Sequence, residues 1–151
     1  MNNEQNKVEE FMAVFGQTSP NKATKVDSAT AKLRIDLILE ELDEFIVASQ
    51  KQDLVEVADA LGDLLYVIYG AGTAYGIDLE PIFNEIHRSN MSKLWSEADI
   101  NWNKEKFDRG ELVVDKPYKD TKLSVVKRTD GKIIKSPSYS KANLGPLLGL
   151  S

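Results

Sequence analysis

Nine carboxylates fall between Asp36 and Asp63 (Asp36, Glu40, Glu41, Asp43, Glu44, Asp53, Glu56, Asp59 and Asp63), and the only cation among them is Lys51. Like charges packed this densely repel, so their arrangement needs a reason. At about 100° per residue, Glu40, Glu41 and Glu44 lie within an arc of about 100° on one helix, and Glu56, Asp59 and Asp63 form a stripe about 60° wide on the next. Both stripes border apolar faces instead of opposing them, which is costly without a cation to absorb the charge. If the turn between the helices centres near Lys51, Glu44 faces Glu56 and Asp59, while Glu40 and Glu41 sit near Asp63. Five or six carboxylates then converge, and hard oxygen ligands in that number suit Mg²⁺ or Mn²⁺. Each has a bland alternative. Asp53 and Glu56 have capping-box spacing, Asp43 points away to solvent, and both stripes can be read as solvated helix faces.

The elements that must position these groups follow from periodicity. Val8, Phe11, Met12 and Phe15 give a short amphipathic helix over 7–15, followed by a loop over 16–27. Asp27 or Ser28 caps a second helix to about Ala48, with Leu37, Ile38, Leu42, Phe45 and Ile46 on its apolar side. The polar residues Ser49 to Gln52 force an antiparallel return. Leu54, Val57, Leu61, Leu64, Leu65 and Ile68 then define a third helix to about Tyr75, with Tyr66 and Tyr69 expected in the core. Asp78 caps a fourth helix that holds Pro81 in its first turn and reaches about Trp95. Beyond Trp102, Leu123–Lys127 and Lys132–Lys135 read as a hairpin turning at Asp130–Gly131. The reading is all-α: a single domain over 1–151, with a helical core of about four helices over 7–96 and a hairpin and tail over 103–151.

Composition narrows the chemistry further. The chain has 151 residues, a formal net charge of −5 and no cysteine, which excludes thiolate metal sites, disulfide scaffolds and cysteine nucleophiles. A net-acidic chain binds nucleic-acid backbones poorly, so no direct nucleic-acid contact is expected. The longest uncharged run, Leu64 to Ile77, is shorter than the roughly 20 residues that span a bilayer, and the N-terminal MNNEQNKVEE lacks a secretory pattern; a cytoplasmic protein with no membrane partner is expected. His87 has Asn84 three positions before it, not a glutamate, so a bundle di-iron site fits poorly. HExxH, EF-hand, phosphate-loop and dinucleotide motifs are absent.

The run Leu39-Glu40-Glu41-Leu42-Asp43-Glu44-Phe45 resembles the EExxE motif of the MazG-like all-α nucleoside triphosphate pyrophosphohydrolases, and Glu56-Val57-Ala58-Asp59 resembles their ExxD. EVADALGDLLYVIYG followed by HRSNMSKLW is similar to a small bacterial and phage branch labelled phosphoribosyl-ATP pyrophosphohydrolase-like. The resemblance covers roughly 7–95, and the SPSYSKANL tail also suits that branch. One departure stands out. Asp63 precedes the LLY run where relatives carry the ExxD aspartate, and Ala60 stands where the glutamate would be. The frame Glu56 and Asp59 keeps both acids.

The resemblance implies cleavage of a nucleoside triphosphate between its α- and β-phosphates, with two or more Mg²⁺ or Mn²⁺ ions. Glu41, Glu44, Glu56 and Asp59 are the expected ligands, with Asp63 as a further ligand or a support for one. Glu40 or Glu41 would orient or deprotonate the attacking water. Asn90 and Lys93, helped by Arg88 or basic residues of the tail, would take the departing pyrophosphate. His87 is either a nucleotide contact or a packing residue. Phe15 and Gln17 offer stacking and an amide to the base. Relatives act mostly on deoxynucleotides, and dGTP and dUTP are both candidates. Apolar excess and family habit suggest a homodimer or homotetramer, in the cytoplasm of a bacterium or a phage-infected host. A non-catalytic nucleotide- or metal-binding regulator and a purely structural bundle subunit are the alternatives.

Overall fold

The structure is a computed structural model describing residues 1–150. It is mostly helical with a small antiparallel sheet, the class expected, but six α-helices occur among the described residues where four were predicted. Contacts divide the chain into two compact units: Met1–Ile82 with the residues from Gly145 on, and Phe83–Leu144.

In the first unit the caps, more than the apolar spacing, set the helix ends. Helix α1 spans Asn3–Val14 and starts before the first apolar position because the Asn2 side chain accepts from the Gln5 N–H at 2.9 Å. Helix α2 spans Ser28–Lys51, capped by Asp27 on the Thr30 N–H at 2.8 Å. It runs three residues beyond the expected end and stops at Gln52, whose φ of 55° is left-handed. Asp53 follows directly as the cap of α3, Leu54–Ala74, accepting from the N–H groups of Val55 and Glu56. Two residues thus link α2 to α3, which pack as a helical hairpin.

Gln5 is fully buried and fully used, as a buried amide must be. Its Nε2 donates to Thr73 Oγ1 at 3.4 Å and to the Ile77 carbonyl at 2.8 Å, and its Oε1 accepts from the Leu79 N–H at 3.0 Å. Beside it Val8, Met12 and Ala74 form the buried core, with Tyr69 packed against them as expected. Gly76 turns the chain out of α3 at φ 64°, and a Cβ there would stand 2.2 Å from the Lys22 carbonyl oxygen. Only glycine lets the 16–27 loop pass so closely. Among the described residues, no helix is long and apolar enough to cross a membrane.

Helix α4 runs Leu79–Met91, so it crosses the division between the units. It ends four residues before the expected stop because Trp95 is recruited into a strand. In the second unit β1 (Trp95–Ser96), β2 (Leu112–Pro117) and β3 (Leu123–Arg128) form an antiparallel sheet of order β1-β3-β2. The predicted partner of β3 was the segment after Asp130–Gly131. That segment makes only an isolated bridge, Lys127 to Ile133, while β2 supplies the long pairing. Two short helices, α5 (Glu97–Trp102) and α6 (Lys104–Asp108), were not anticipated. A capping box between Ser96 and Asp99 starts α5. Trp95, Leu112 and Val126 are the buried core here, with Ile100, Phe107 and Ile134 against them. The Trp95 indole N–H donates to the Ile134 carbonyl at 2.9 Å, and its ring meets Phe107 edge-on at 5.8 Å.

Candidate active site

The α2–α3 hairpin carries the acidic motifs; beside a cavity of about 450 Å³ under the 16–27 loop, which Gln17 and Arg34 also line, two cavities of the first unit take in acidic residues of the hairpin. One, of about 650 Å³, lies at the hairpin turn and is lined by Asp43, Glu44, Lys51, Asp53 and Glu56. The other, of about 470 Å³, is formed by α1, α2 and α3 and takes in Glu41 and Asp63. Asp59 and Glu40 are exposed. The capping-box alternative for Glu56 is not what forms, since the Asp53 N–H donates to the Ala48 carbonyl at 3.3 Å.

Glu41 stands apart from the other acids. Its Oε2 is closed off from water and has no hydrogen-bond partner. Burial, reinforced by the negative charge of Glu44, Asp63, Glu40 and Asp59, pushes its carboxyl above the usual range. All four of those acids therefore act on one buried oxygen, and no basic side chain offsets them. Yet among the described residues no three carboxylates or imidazoles are drawn together closely enough to hold an ion. The single closed cluster of five or six carboxylates expected from spacing is thus not formed by these side chains.

The chemistry of the donors fits a hard divalent ion: every candidate is a carboxylate, and one of them keeps a buried oxygen without a partner. That orphan oxygen is the observation on which the fit rests.

The base-side residues come out differently from expectation. Phe15 is 67% exposed and stacks, tilted, on Phe11 at 4.4 Å, and it does not line the α1–α3 cavity. Phe11 and Tyr66 do line it, meeting edge-on at 5.7 Å. Tyr66 is therefore a cavity wall and not the core residue predicted. Gln17 also lines it, with Oε1 accepting from Arg34 Nη2 at 2.9 Å. Arg34 was missed because its isolated charge on α2 reads as a surface position. The one available hint was a cation placed a helical turn from Leu37 and Ile38 on an otherwise apolar side.

Asn90, Lys93, Arg88 and His87 all belong to the second unit. Lys93 Nζ donates to Asn90 Oδ1 at 2.7 Å, so the predicted pair does touch. Arg88 grips both oxygens of Glu85 at 2.8 Å and reaches the Lys141 carbonyl at 3.3 Å, which makes it a structural clamp here. His87 is exposed. The tail is strapped to its own α4 and the residues after it. The Ser136 N–H donates to the Lys93 carbonyl at 3.1 Å, the Ser140 N–H to Ser92 Oγ at 2.9 Å, and the Asn143 N–H to Glu85 Oε1 at 2.9 Å.

An all-α hairpin that carries paired acidic motifs is the architecture on which the sequence comparisons bear. Residues 8–90 match the family described as phosphoribosyl-ATP pyrophosphohydrolase; the match covers more than half of the chain, and the chain belongs to this family. It is also 32% identical over 145 residues to an uncharacterised protein of Acanthamoeba polyphaga mimivirus. That alignment covers 91% of this chain and 54% of the relative, so the chain spans about half the length of the protein it matches.

Proposed function

We propose that the protein hydrolyses a nucleoside triphosphate between the α- and β-phosphates, releasing the monophosphate and pyrophosphate. The substrate is a deoxynucleotide such as dGTP or dUTP, and the role is control of the nucleotide pool. Family membership supports pyrophosphohydrolase chemistry on a nucleotide. The single observation that carries the reading is the buried, unpartnered Glu41 Oε2 under the field of four further acids.

In this reading Glu41, Glu44, Glu56 and Asp59 hold two or more Mg²⁺ or Mn²⁺ ions, with Asp63 as a further ligand or a support for one. Bound there, the ions neutralise phosphate oxygens and lower the pKa of a water. Glu40 or Glu41 would orient the attacking water or take its proton. In the second unit, Lys93 and Asn90 present an ammonium and an amide suited to phosphate oxygens.

The protein also self-associates, as a dimer or tetramer. Leu33, Ile35, Leu39 and Ile46 of α2 and Leu54, Val55, Leu61 and Leu65 of α3 are all exposed, and bare apolar side chains on two paired helices support an interface.

The test is pyrophosphate release from each dNTP and NTP, dUTP and phosphoribosyl-ATP, with Mg²⁺ and with Mn²⁺, beside a Glu44→Ala control. Metal-dependent release from one or two nucleoside triphosphates, lost in the control, is the expected result. Silence across the panel from a folded protein overturns the reading and favours a non-catalytic regulator. Release from phosphoribosyl-ATP alone overturns the substrate assignment.

A further inference from the structure

The α1–α3 cavity carries two opposed kinds of polar group. Glu41 and Asp63 are acceptors; Arg34 and Gln17 are the others. Arg34 and Glu41 are seven residues apart on α2, two turns or about 10 Å along its axis. That separation leaves room for the sugar and base of a nucleotide between the acids and the guanidinium. Phe11 and Tyr66 supply aromatic wall between them.

Arg34 is an unusual residue to leave there. Its Nε is closed off from water and has no hydrogen-bond partner. It forms no ion pair among the described residues. Gly70 makes room for it, since a Cβ at that position would stand 3.3 Å from Nη1. A guanidinium only donates, and a buried donor left without an acceptor is costly. Gln17 has its carbonyl occupied by Arg34 Nη2, so what its amide still offers is also donor. The polar groups on this side of the cavity therefore all ask for acceptors.

Among the bases, guanine and hypoxanthine place two acceptors, N7 and O6, side by side, and a guanidinium matches that edge with two parallel hydrogen bonds. Adenine and cytosine put an amino donor at the corresponding place. Uracil and thymine offer one oxygen beside an N–H. We propose that Arg34, supported by Gln17, reads the N7–O6 edge of a 6-oxopurine, and that the substrate base is accordingly guanine or hypoxanthine. This rests on the nucleotide reading above.

The experiment is calorimetric binding of dGMP, dIMP, 7-deaza-dGMP, dAMP and dUMP to the full chain with Mg²⁺, with turnover of the matching triphosphates measured alongside. The wild-type protein is expected to bind dGMP and dIMP about ten- to a hundred-fold more tightly than dAMP, and 7-deaza-dGMP about ten-fold more weakly than dGMP. Arg34→Met should bring the dGMP to dAMP ratio close to one. The 7-deaza arm needs no variant, so a misfolded Arg34→Met leaves the inference testable. Equal binding of dGMP and dAMP, tighter binding of dUMP than of dGMP, or a ratio unchanged in a folded Arg34→Met protein overturns it. Selective binding of dGMP without turnover of any triphosphate upholds the base assignment and removes the hydrolase reading, so the two failures are distinguishable.

Discussion

The two units are finished to different degrees. Phe83–Leu144 closes its core: Trp95 and Val126 are 2% and 1% exposed, the indole N–H has its carbonyl, and the tail is pinned by a chain of hydrogen bonds. The helical unit also closes a core, at Val8, Met12 and Ala74, but leaves much of its α2–α3 hairpin open. Leu54 and Val55 are 81% and 77% exposed, α2 fully buries only Ala48, and both Glu41 and Arg34 keep a buried polar atom without a partner. Folding alone selects for the first pattern, because unpaired buried polar atoms and exposed apolar faces both cost free energy. The orphan polar atoms are what set the helical unit apart, since the second unit also leaves Phe83 and Trp102 bare. The orphan atoms point to a small polar ligand, and the bare leucines to another protein surface.

Four perturbations would break or sharpen that contrast. The largest effect is expected from Glu41→Gln: pyrophosphate release should fall by about 10²–10⁴-fold, the range typical of a lost acid–base group. The melting temperature of the metal-free protein should not fall, because the change removes a negative charge that four neighbouring acids oppose. A loss of stability equal to that of a core variant would place Glu41 among structural residues instead.

Next come two large apolar residues with opposite roles. Trp95→Ala should destabilise the second unit by about 3–5 kcal/mol, read by denaturant unfolding followed through the sheet. Leu65→Glu, at a position 56% exposed, should leave the stability of a monomer nearly unchanged but shift the sedimentation coefficient towards that of a single chain. Identical sedimentation of Leu65→Glu and wild type would remove the self-association argument.

The smallest effect is a pH dependence confined to the tail. The Arg88 guanidinium, helped by the Asn143 N–H, holds the Glu85 carboxyl at about 2, below its usual value. A carboxyl depressed on folding stabilises the folded state above its unfolded pKa, and that contribution is lost as pH falls through the folded value. Hydrogen exchange of the Asn143 amide should therefore accelerate, relative to the Val126 amide, between about pH 4 and 2. Equal protection of the two amides throughout that window would show that Glu85 does not anchor the strap.

Much of the helical unit was legible in the chain itself. Periodicity placed α1, α2 and α3 to within about four residues, Asp27 marked the start of α2, and the Asn2 cap carries α1 four residues upstream of its apolar pattern. The sheet was harder to read. The pairing of β3 depends on Val113 and Val114 from upstream, whereas the local Asp130–Gly131 turn advertised the wrong neighbour. Turn chemistry is local, and strand pairing is not. The acidic stripes could be placed on their helices from spacing, but where each carboxylate settles depends on repulsions that a helical wheel does not contain. Arg34 illustrates the same limit. Its significance comes from a glycine thirty-six positions later and a glutamine in a loop, neither of which its own neighbourhood reveals.

The bonds of Gln5 bear on the order in which the chain assembles. Its partners, Thr73, Ile77 and Leu79, lie 68 to 74 residues downstream. During synthesis the first helix leaves the ribosome long before any of them exists, and its buried amide has nothing to grip. The α2–α3 hairpin, closed by a two-residue link, forms through contacts near in sequence and can be in place first. Helix α1 can therefore dock only after residues far downstream of it are available, and it brings Phe11 to the cavity as it does so. On a nascent chain the pocket is completed only when Leu79 has emerged.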